Sequence, residues 1–216
     1  MKGTYEWNPM PHRLDVACPT CGQRAEFEFA EVVRISLKSD VAFFQKSCTF
    51  DYQTFQDSCG HLWHGALFFE GLHGSPGQAI HQLPPGYLAE NWAHSKYLRS
   101  ADSLRSGAIR CAHCCLRAKH QLAWPNDAYY AVAHRRQVLW AFYRESAVEL
   151  LDYLSSTKRD VSKYRWASFL LHIPSIFSKR SINPRLFRKS RRWLNPGHAN
   201  PSYSTAAAPR RHPRFS

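Results

Sequence analysis

The sequence predicts an α+β protein, with a β-rich N-terminal part followed by a helical C-terminal part. Two Cys-x-x-Cys pairs are typical of a β module stabilised by a metal ion. Apolar residues alternate along residues 22–70, as in strands, and their period lengthens to that of a helix after about residue 127. The 216 residues suffice for one or two domains with a substantial core.

The two cysteine pairs are Cys18-Pro-Thr-Cys21-Gly and Cys111-Ala-His-Cys114. Two thiols that are two residues apart can bind one ion from a tight turn, and two such pairs supply the four soft ligands of a tetrahedral zinc site. Pro19 stiffens the first turn, and Gly22 allows the left-handed backbone that lets the chain wrap around the metal. We therefore expect one structural Zn²⁺ with the ligands Cys18, Cys21, Cys111 and Cys114.

A Cys-Pro-x-Cys-Gly knuckle closed by a distant second Cys-x-x-Cys resembles the zinc-ribbon fold group. In that group two knuckles from β-hairpins clamp one Zn²⁺, and the resemblance covers the four knuckle cysteines. The chain departs from the pattern in two respects. Between Cys21 and Cys111 lie 89 residues, more than in compact ribbons, and Cys115 stands where the first knuckle has Gly22.

Other ligand sets are open at this point. Cys48 and Cys59 lie in the long spacer and can form a local site with Cys18 and Cys21, which would leave the second pair for another metal. The additional candidate ligands are His113 and His120. We favour a simpler interpretation in which the remaining thiols are buried and the spacer histidines are half-exposed strand residues. These residues are Cys48, Cys59, Cys115, His61 and His64.

The strand pattern predicts that the spacer forms its own β structure. Alternation begins at Phe27 and Phe29 and continues through the aromatic run from Phe43 to Phe55. We expect five aromatic side chains to build the core of the spacer: Phe43, Phe44, Phe55, Trp63 and Phe68. Loop-closure entropy grows only logarithmically with length, so a spacer of this size is thermodynamically tolerable.

Three helices are predicted in the C-terminal part. An apolar stripe that includes Leu139, Leu150 and Leu154 predicts a helix over residues 133–155. Asp160 is placed to cap a second helix over residues 161–172, and Pro184 suits the start of a third over 184–194. The expected organisation is a zinc-ribbon-like β-rich module over 1–126, a helical portion over 127–194 and a disordered tail over 195–216.

Composition narrows the possible partners. Residues 156–216 contain fourteen Lys and Arg but a single acid, Asp160, so this segment carries the whole net charge of +13. Such asymmetry favours an anionic partner, either nucleic acid or a membrane surface. The chain has no apolar run of the roughly 18 residues that span a bilayer. An odd number of cysteines, with paired spacing and no signal-peptide pattern, favours the reducing cytoplasm.

These observations favour a non-enzymatic zinc protein that binds nucleic acid, DNA or RNA, through its basic C-terminal helical arm. The expected contacts are Lys179, Arg180, Arg185, Arg188, Lys189, Arg191 and Arg192. The alternatives are a zinc-stabilised protein-interaction adaptor and a metal-dependent nuclease that uses His61, His64 or His94. A membrane-surface protein is less favoured and would use the apolar residues Trp166, Phe169, Leu170, Leu171, Ile173 and Phe177.

Overall fold

A computed structural model describes residues 10–57, 59–89, 92–94, 105–134 and 137–178. The strands within this part are β1 (Arg13–Ala17), β2 (Arg24–Phe29), β3 (Glu31–Arg34), β4 (Phe50–Gln56), β5 (Leu62–Phe68), β6 (Ala93–His94), β7 (Ser106–Arg110), β8 (Arg117–Gln121), β9 (Tyr130–His134) and β10 (Gln137–Ala141). The helices are α1 (Val41–Lys46), α2 (Glu70–His73), α3 (Pro76–Ala79), α4 (Arg144–Ser155), α5 (Ala167–Leu170) and α6 (Ser175–Ser178), with 3₁₀ turns at Lys38–Asp40 and Val161–Lys163. This mixture of helices and antiparallel sheets confirms the α+β prediction.

A four-stranded antiparallel sheet with the order β1-β2-β7-β8, here called the knuckle sheet, carries both cysteine pairs. Its two faces differ because side chains alternate along each strand. On β2, Ala25, Phe27 and Phe29 are buried in the largest hydrophobic cluster, together with apolar residues of β10 and α4. The alternate positions on β2 carry charges, so the opposite face of the knuckle sheet is polar.

The spacer forms a second antiparallel sheet with the order β4-β5-β3-β6. Phe55 and Leu67 are buried in a cluster that also includes Ala108 of the knuckle sheet, whereas Phe44 and Phe68 are buried in a separate cluster. The spacer therefore has its own apolar core.

The predicted core of the spacer is confirmed for Phe44, Phe55 and Phe68, and Trp63 is half-buried and packed against it. It is wrong for Phe43, which remains 37% exposed. The strand pattern is interrupted there by helix α1, in which neighbouring residues point in different directions. Phe44 thus enters the core while Phe43 does not.

The helix predicted over residues 133–155 is confirmed only in its second half. Strands β9 and β10 pair as an antiparallel hairpin, and the helix begins at Arg144. Ser146 explains this start, because its Oγ accepts hydrogen bonds from the backbone N–H groups of Phe142 and Tyr143 at 2.9 and 3.1 Å. The hydrophobic cluster runs from the knuckle sheet into α4, while the division of the chain at residue 127 stays a prediction.

The helix predicted over 161–172 is shorter and broken. The chain forms the 3₁₀ turn Val161–Lys163 and then α5, and Asp160 accepts the backbone N–H of Ser162, as a capping residue does. The predicted helix over 184–194 and the tail over 195–216 lie outside the described residues. No helix in the described part of the chain is both long and apolar enough to span a membrane.

Candidate metal centre

The two cysteine pairs occupy the turns of two hairpins with the same backbone course. In the β1–β2 hairpin the N–H of Cys18 donates to the carbonyl of Gln23 at 2.8 Å. In the β7–β8 hairpin the N–H of Cys111 donates to the carbonyl five residues on, that of Leu116, at 2.9 Å. Gly22 and Cys115 occupy the same position in their turns, four residues after Cys18 and Cys111. Their φ values of 69° and 59° show that both adopt the left-handed backbone conformation.

Strand pairing brings these two turns together across the long spacer. Strand β2 leaves the first knuckle, and β7 enters the second beside it in antiparallel register, with Glu26 opposite Arg110. The start of β2 and the end of β7 therefore lie at the same end of the knuckle sheet. The 89 residues that separate Cys21 from Cys111 in sequence do not separate them in space.

The sulfur atoms of Cys18, Cys21, Cys111 and Cys114 all lie within 4.8 Å of one another. The Sγ atoms of Cys18 and Cys114 are 3.6 Å apart, and so are those of Cys21 and Cys111. A tetrahedron with metal–sulfur bonds of about 2.3 Å has sulfur–sulfur edges of about 3.8 Å, whereas a disulfide bond is about 2.05 Å long. The four thiols therefore have the spacing of metal ligands.

Burial and hydrogen bonds shift the pKa values of Cys18, Cys21 and Cys111 in different directions. Cys18 and Cys111 are buried, and burial raises the pKa of the Cys18 thiol. Burial also raises the pKa of Cys21, to about 12. Burial also opposes ionisation of Cys111, but backbone hydrogen bonds from Cys114 and His113 outweigh it and lower its pKa to about 7. Because metals bind thiolates, cation binding at this centre must release protons.

The rival ligand set of Cys18, Cys21, Cys48 and Cys59 is wrong, because neither spacer cysteine belongs to the four-sulfur group. The prediction that Cys48, Cys59 and Cys115 are buried is also wrong, since all three are exposed. They lie in turns or beside strand and helix ends, where the chain covers them little. A separate group of Asp57, Cys59 and His61 lies within 4.8 Å, but all three residues are exposed.

Three of the candidate histidines have other partners. The Nε2 atom of His120 lies 2.9 Å from Oδ2 of Asp127, and neither His120 nor His113 belongs to the four-sulfur group. His64 Nδ1 lies 2.6 Å from the hydroxyl of Tyr52, whereas His61 lies 3.4 Å from a carboxylate oxygen of Asp57. The described residues thus do not join His61 and His64 in one ligand group; the side chain of His94 lies outside them.

The apolar C-terminal residues do not form an exposed face. Phe169, Leu170, Ile173 and Phe177 are buried in the main hydrophobic cluster, and Trp166 packs against it. Leu171 alone of these six is largely exposed, at 64%. The face proposed for a membrane surface is therefore occupied by the protein's own core.

A charged surface that the sequence did not predict lies beside the cysteine centre. The polar face of the knuckle sheet forms the floor of an open groove of about 990 Å³. There Arg13 Nε donates to Glu28 at 2.8 Å, and Arg24 donates to Asp15 at 3.2 Å. The alternation of Arg24 and the two β2 glutamates with buried apolar residues is the sequence signal that marks this face.

The predicted nucleic-acid contacts lie outside the described residues. These are Lys179, Arg180, Arg185, Arg188, Lys189, Arg191 and Arg192. Their role stays a prediction that rests on charge.

Comparisons with known proteins were made for the whole chain. No family model, no curated protein and no solved structure matches it.

Proposed function

We propose that the four-cysteine centre binds one Zn²⁺ and that this ion is structural. The observation that supports the proposal is the pair of 3.6 Å sulfur contacts, each of which joins one knuckle to the other. A zinc ion held by four thiolates has no open position for water or substrate, which is the arrangement of structural rather than catalytic sites. The ion would fasten the turn of the β1–β2 hairpin to that of the β7–β8 hairpin.

Metal content measured on the native protein tests this assignment. We expect one zinc per chain in the parent protein and a clear loss of zinc in Cys111→Ser. Cys48→Ser is the matched control, since that thiol is exposed and lies outside the four-sulfur group. Full zinc in Cys111→Ser, or loss of zinc in Cys48→Ser, would contradict the assignment.

We further propose that the protein binds nucleic acid without catalysing a reaction on it. The support is the charge of residues 156–216, where fourteen basic residues face a single acid. Lys and Arg neutralise phosphates and release condensed counterions, so a segment of this composition suits DNA or RNA. On a helix that begins at Pro184, the residues Arg185, Arg188 and Arg192 recur at i, i+3 and i+7 and would share one face.

A binding titration at two salt concentrations tests the nucleic-acid proposal. We expect replacement of Arg185, Arg188 and Arg192 by Ala to weaken binding and to flatten its salt dependence by nearly one log unit per lost phosphate contact. Replacement of Arg210, Arg211 and Arg214 by Ala removes the same charge from the tail and is the matched control. If the parent binds neither DNA nor RNA at low salt, the adaptor function replaces this one.

A further inference from the structure

A cavity of about 340 Å³ beside the second knuckle is lined by three arginines. Arg24 comes from the start of β2, Arg110 from the end of β7 and Arg117 from the start of β8. The remaining charged residue in its lining is Glu26. This site, here called the arginine cavity, thus brings three guanidinium groups and one carboxylate together beside Cys111 of the metal centre.

The register of the knuckle sheet places two of these arginines directly opposite each other. Arg110 pairs with Arg117 across the β7–β8 hairpin. Like charges in directly opposite positions of a sheet destabilise it. Glu26 opposes Arg110 on the other side and forms an ion pair with it, so this carboxylate is already engaged. That ion pair offsets the charge of Arg110, so Arg117 is the member of the opposed pair that has no carboxylate partner among the described residues.

Arg117 differs from the other cations on the polar face. Its Nε donates to the carbonyl of Gly71 at 3.0 Å, which fixes the guanidinium in place. Among the described residues, no carboxylate pairs with Arg117 and no acceptor contacts its two terminal amino groups. Lys119, two residues along the same strand, is instead paired with Asp51 at 2.6 Å. Arg117 thus offers a positioned and available pair of donors.

We propose that the arginine cavity binds a backbone phosphate of the nucleic acid, an inference that rests on the proposed function. A guanidinium presents a planar fork of donors that matches two phosphate oxygens. Arg117 would provide that fork, since Arg24 and Arg110 line the cavity but are paired with Asp15 and Glu26. The knuckle sheet and the basic C-terminal arm would then contact the same strand at two places.

Binding of a single-stranded oligonucleotide to the full chain tests the proposal. We expect Arg117→Gln to weaken binding about threefold to fivefold between 0.1 and 0.2 M salt and to lower the salt slope by about 0.7, the value for one phosphate of a single strand. Lys119→Gln removes the same charge two residues away and should change binding less than twofold. Zinc content equal to that of the parent shows that neither variant has lost the knuckles.

The exposed thiol of Cys115 lines the same cavity and gives a second, local measurement. In zinc-saturated protein, the oligonucleotide should slow alkylation of Cys115, whereas Cys48 and Cys59 are exposed in the spacer and should react as before. Site-resolved mass spectrometry reads all three thiols at once. If Arg117→Gln binds the oligonucleotide as tightly as the parent does, and the oligonucleotide does not protect Cys115, phosphate binding in the arginine cavity is overturned. The proposal that the protein binds nucleic acid would still stand.

Tripolyphosphate tests the arginine cavity separately from nucleic-acid binding when the parent protein binds no oligonucleotide. If no oligonucleotide binds, the proposed function fails. The arginine cavity is still an anion site if tripolyphosphate protects Cys115 in the parent and not in Arg117→Gln. If tripolyphosphate does not protect Cys115 in the parent protein either, the proposal that the arginine cavity binds an anion is overturned.

Discussion

At the scale of single residues, Cys115 and Gly22 hold equivalent positions with φ values of 59° and 69°. The left-handed region costs a residue with a Cβ about 1–2 kcal/mol, and glycine avoids that cost but loses more entropy on folding, about 0.5–1 kcal/mol. We therefore expect Cys115→Gly to raise the free energy of unfolding by about 0.5 kcal/mol. Gly22→Ala should lower it by about 1 kcal/mol.

Thermal unfolding of the zinc-saturated variants measures both changes. Cys115→Ser is the control for loss of the thiol, because it keeps the Cβ and should leave the melting temperature near that of the parent. A lower melting temperature for Cys115→Gly than for Cys115→Ser would show that the left-handed backbone is not a source of strain here.

Glu28 allows a prediction of how the stability of the protein depends on pH. Burial alone would raise the pKa of this carboxyl, but the hydrogen bonds and charges of His12 and Arg13 outweigh burial and hold its pKa below the ordinary value of 4.5. A carboxyl that is more acidic in the folded state stabilises the protein above that ordinary value, and the stabilisation is lost as pH falls through the lowered pKa. Glu28→Gln should therefore lose stability less steeply with falling pH below about 4.5.

Chemical denaturation at a series of pH values measures this slope. Glu145→Gln, at an exposed position of α4, removes an equal charge and is the control. Acid also releases zinc from thiolates, but that loss is common to both variants and cancels in the comparison. Parallel curves for the two variants would contradict the role given to Glu28.

At the scale of elements, the start of α4 depends on Ser146, whose side chain is completely buried. Ser146→Ala would leave the N–H groups of Phe142 and Tyr143 without their acceptor. Unpaired buried donors cost about 1–3 kcal/mol, and we expect a loss of stability of that size. Ser155→Ala, near the exposed end of the same helix, should cost less than about 0.5 kcal/mol in the same denaturation experiment.

The same element shows what the sequence could predict. Leu150 and Leu154 follow a helical period and lie buried in α4, as expected. Leu139 fits that period too, but it belongs to β10, since short apolar runs suit strands and helices equally. The start of α4 is set by hydrogen bonds from two N–H groups that precede the helix to Ser146. A pattern of apolar residues does not predict hydrogen bonds of this kind.

At the scale of the whole molecule, the cysteine centre joins only the knuckle sheet, whereas the spacer sheet has a core of its own. Removal of the metal by a chelator should therefore act unevenly along the chain. We expect hydrogen exchange to accelerate most in β1–β2 and β7–β8, and less in β4 and β5. Equal acceleration in all strands would mean that the two sheets unfold as one unit.

The cysteine centre could be predicted because the two thiols of each pair lie close together in the sequence. Two residues between thiols suffice to predict each knuckle, and the four predicted cysteines do come together. The arginine cavity was not predictable in this way. Arg24, Arg110 and Arg117 come from three strands, and only the register of the sheet makes them neighbours.

The spacer leaves and re-enters the knuckle sheet at one place. Phe29 pairs with Gly107, and the N–H of Ala30 donates to the carbonyl of Ser106 at 3.0 Å, so the two junctions of residues 31–105 are neighbours. A Cβ at Gly107 would collide with the ring of Phe27 and the carbonyl of Glu28, which keeps this junction tight. Such a junction suits any unit whose ends lie this close, but exchange of the present unit would also remove the contacts that Gly71 and Asp51 make with Arg117 and Lys119 of β8.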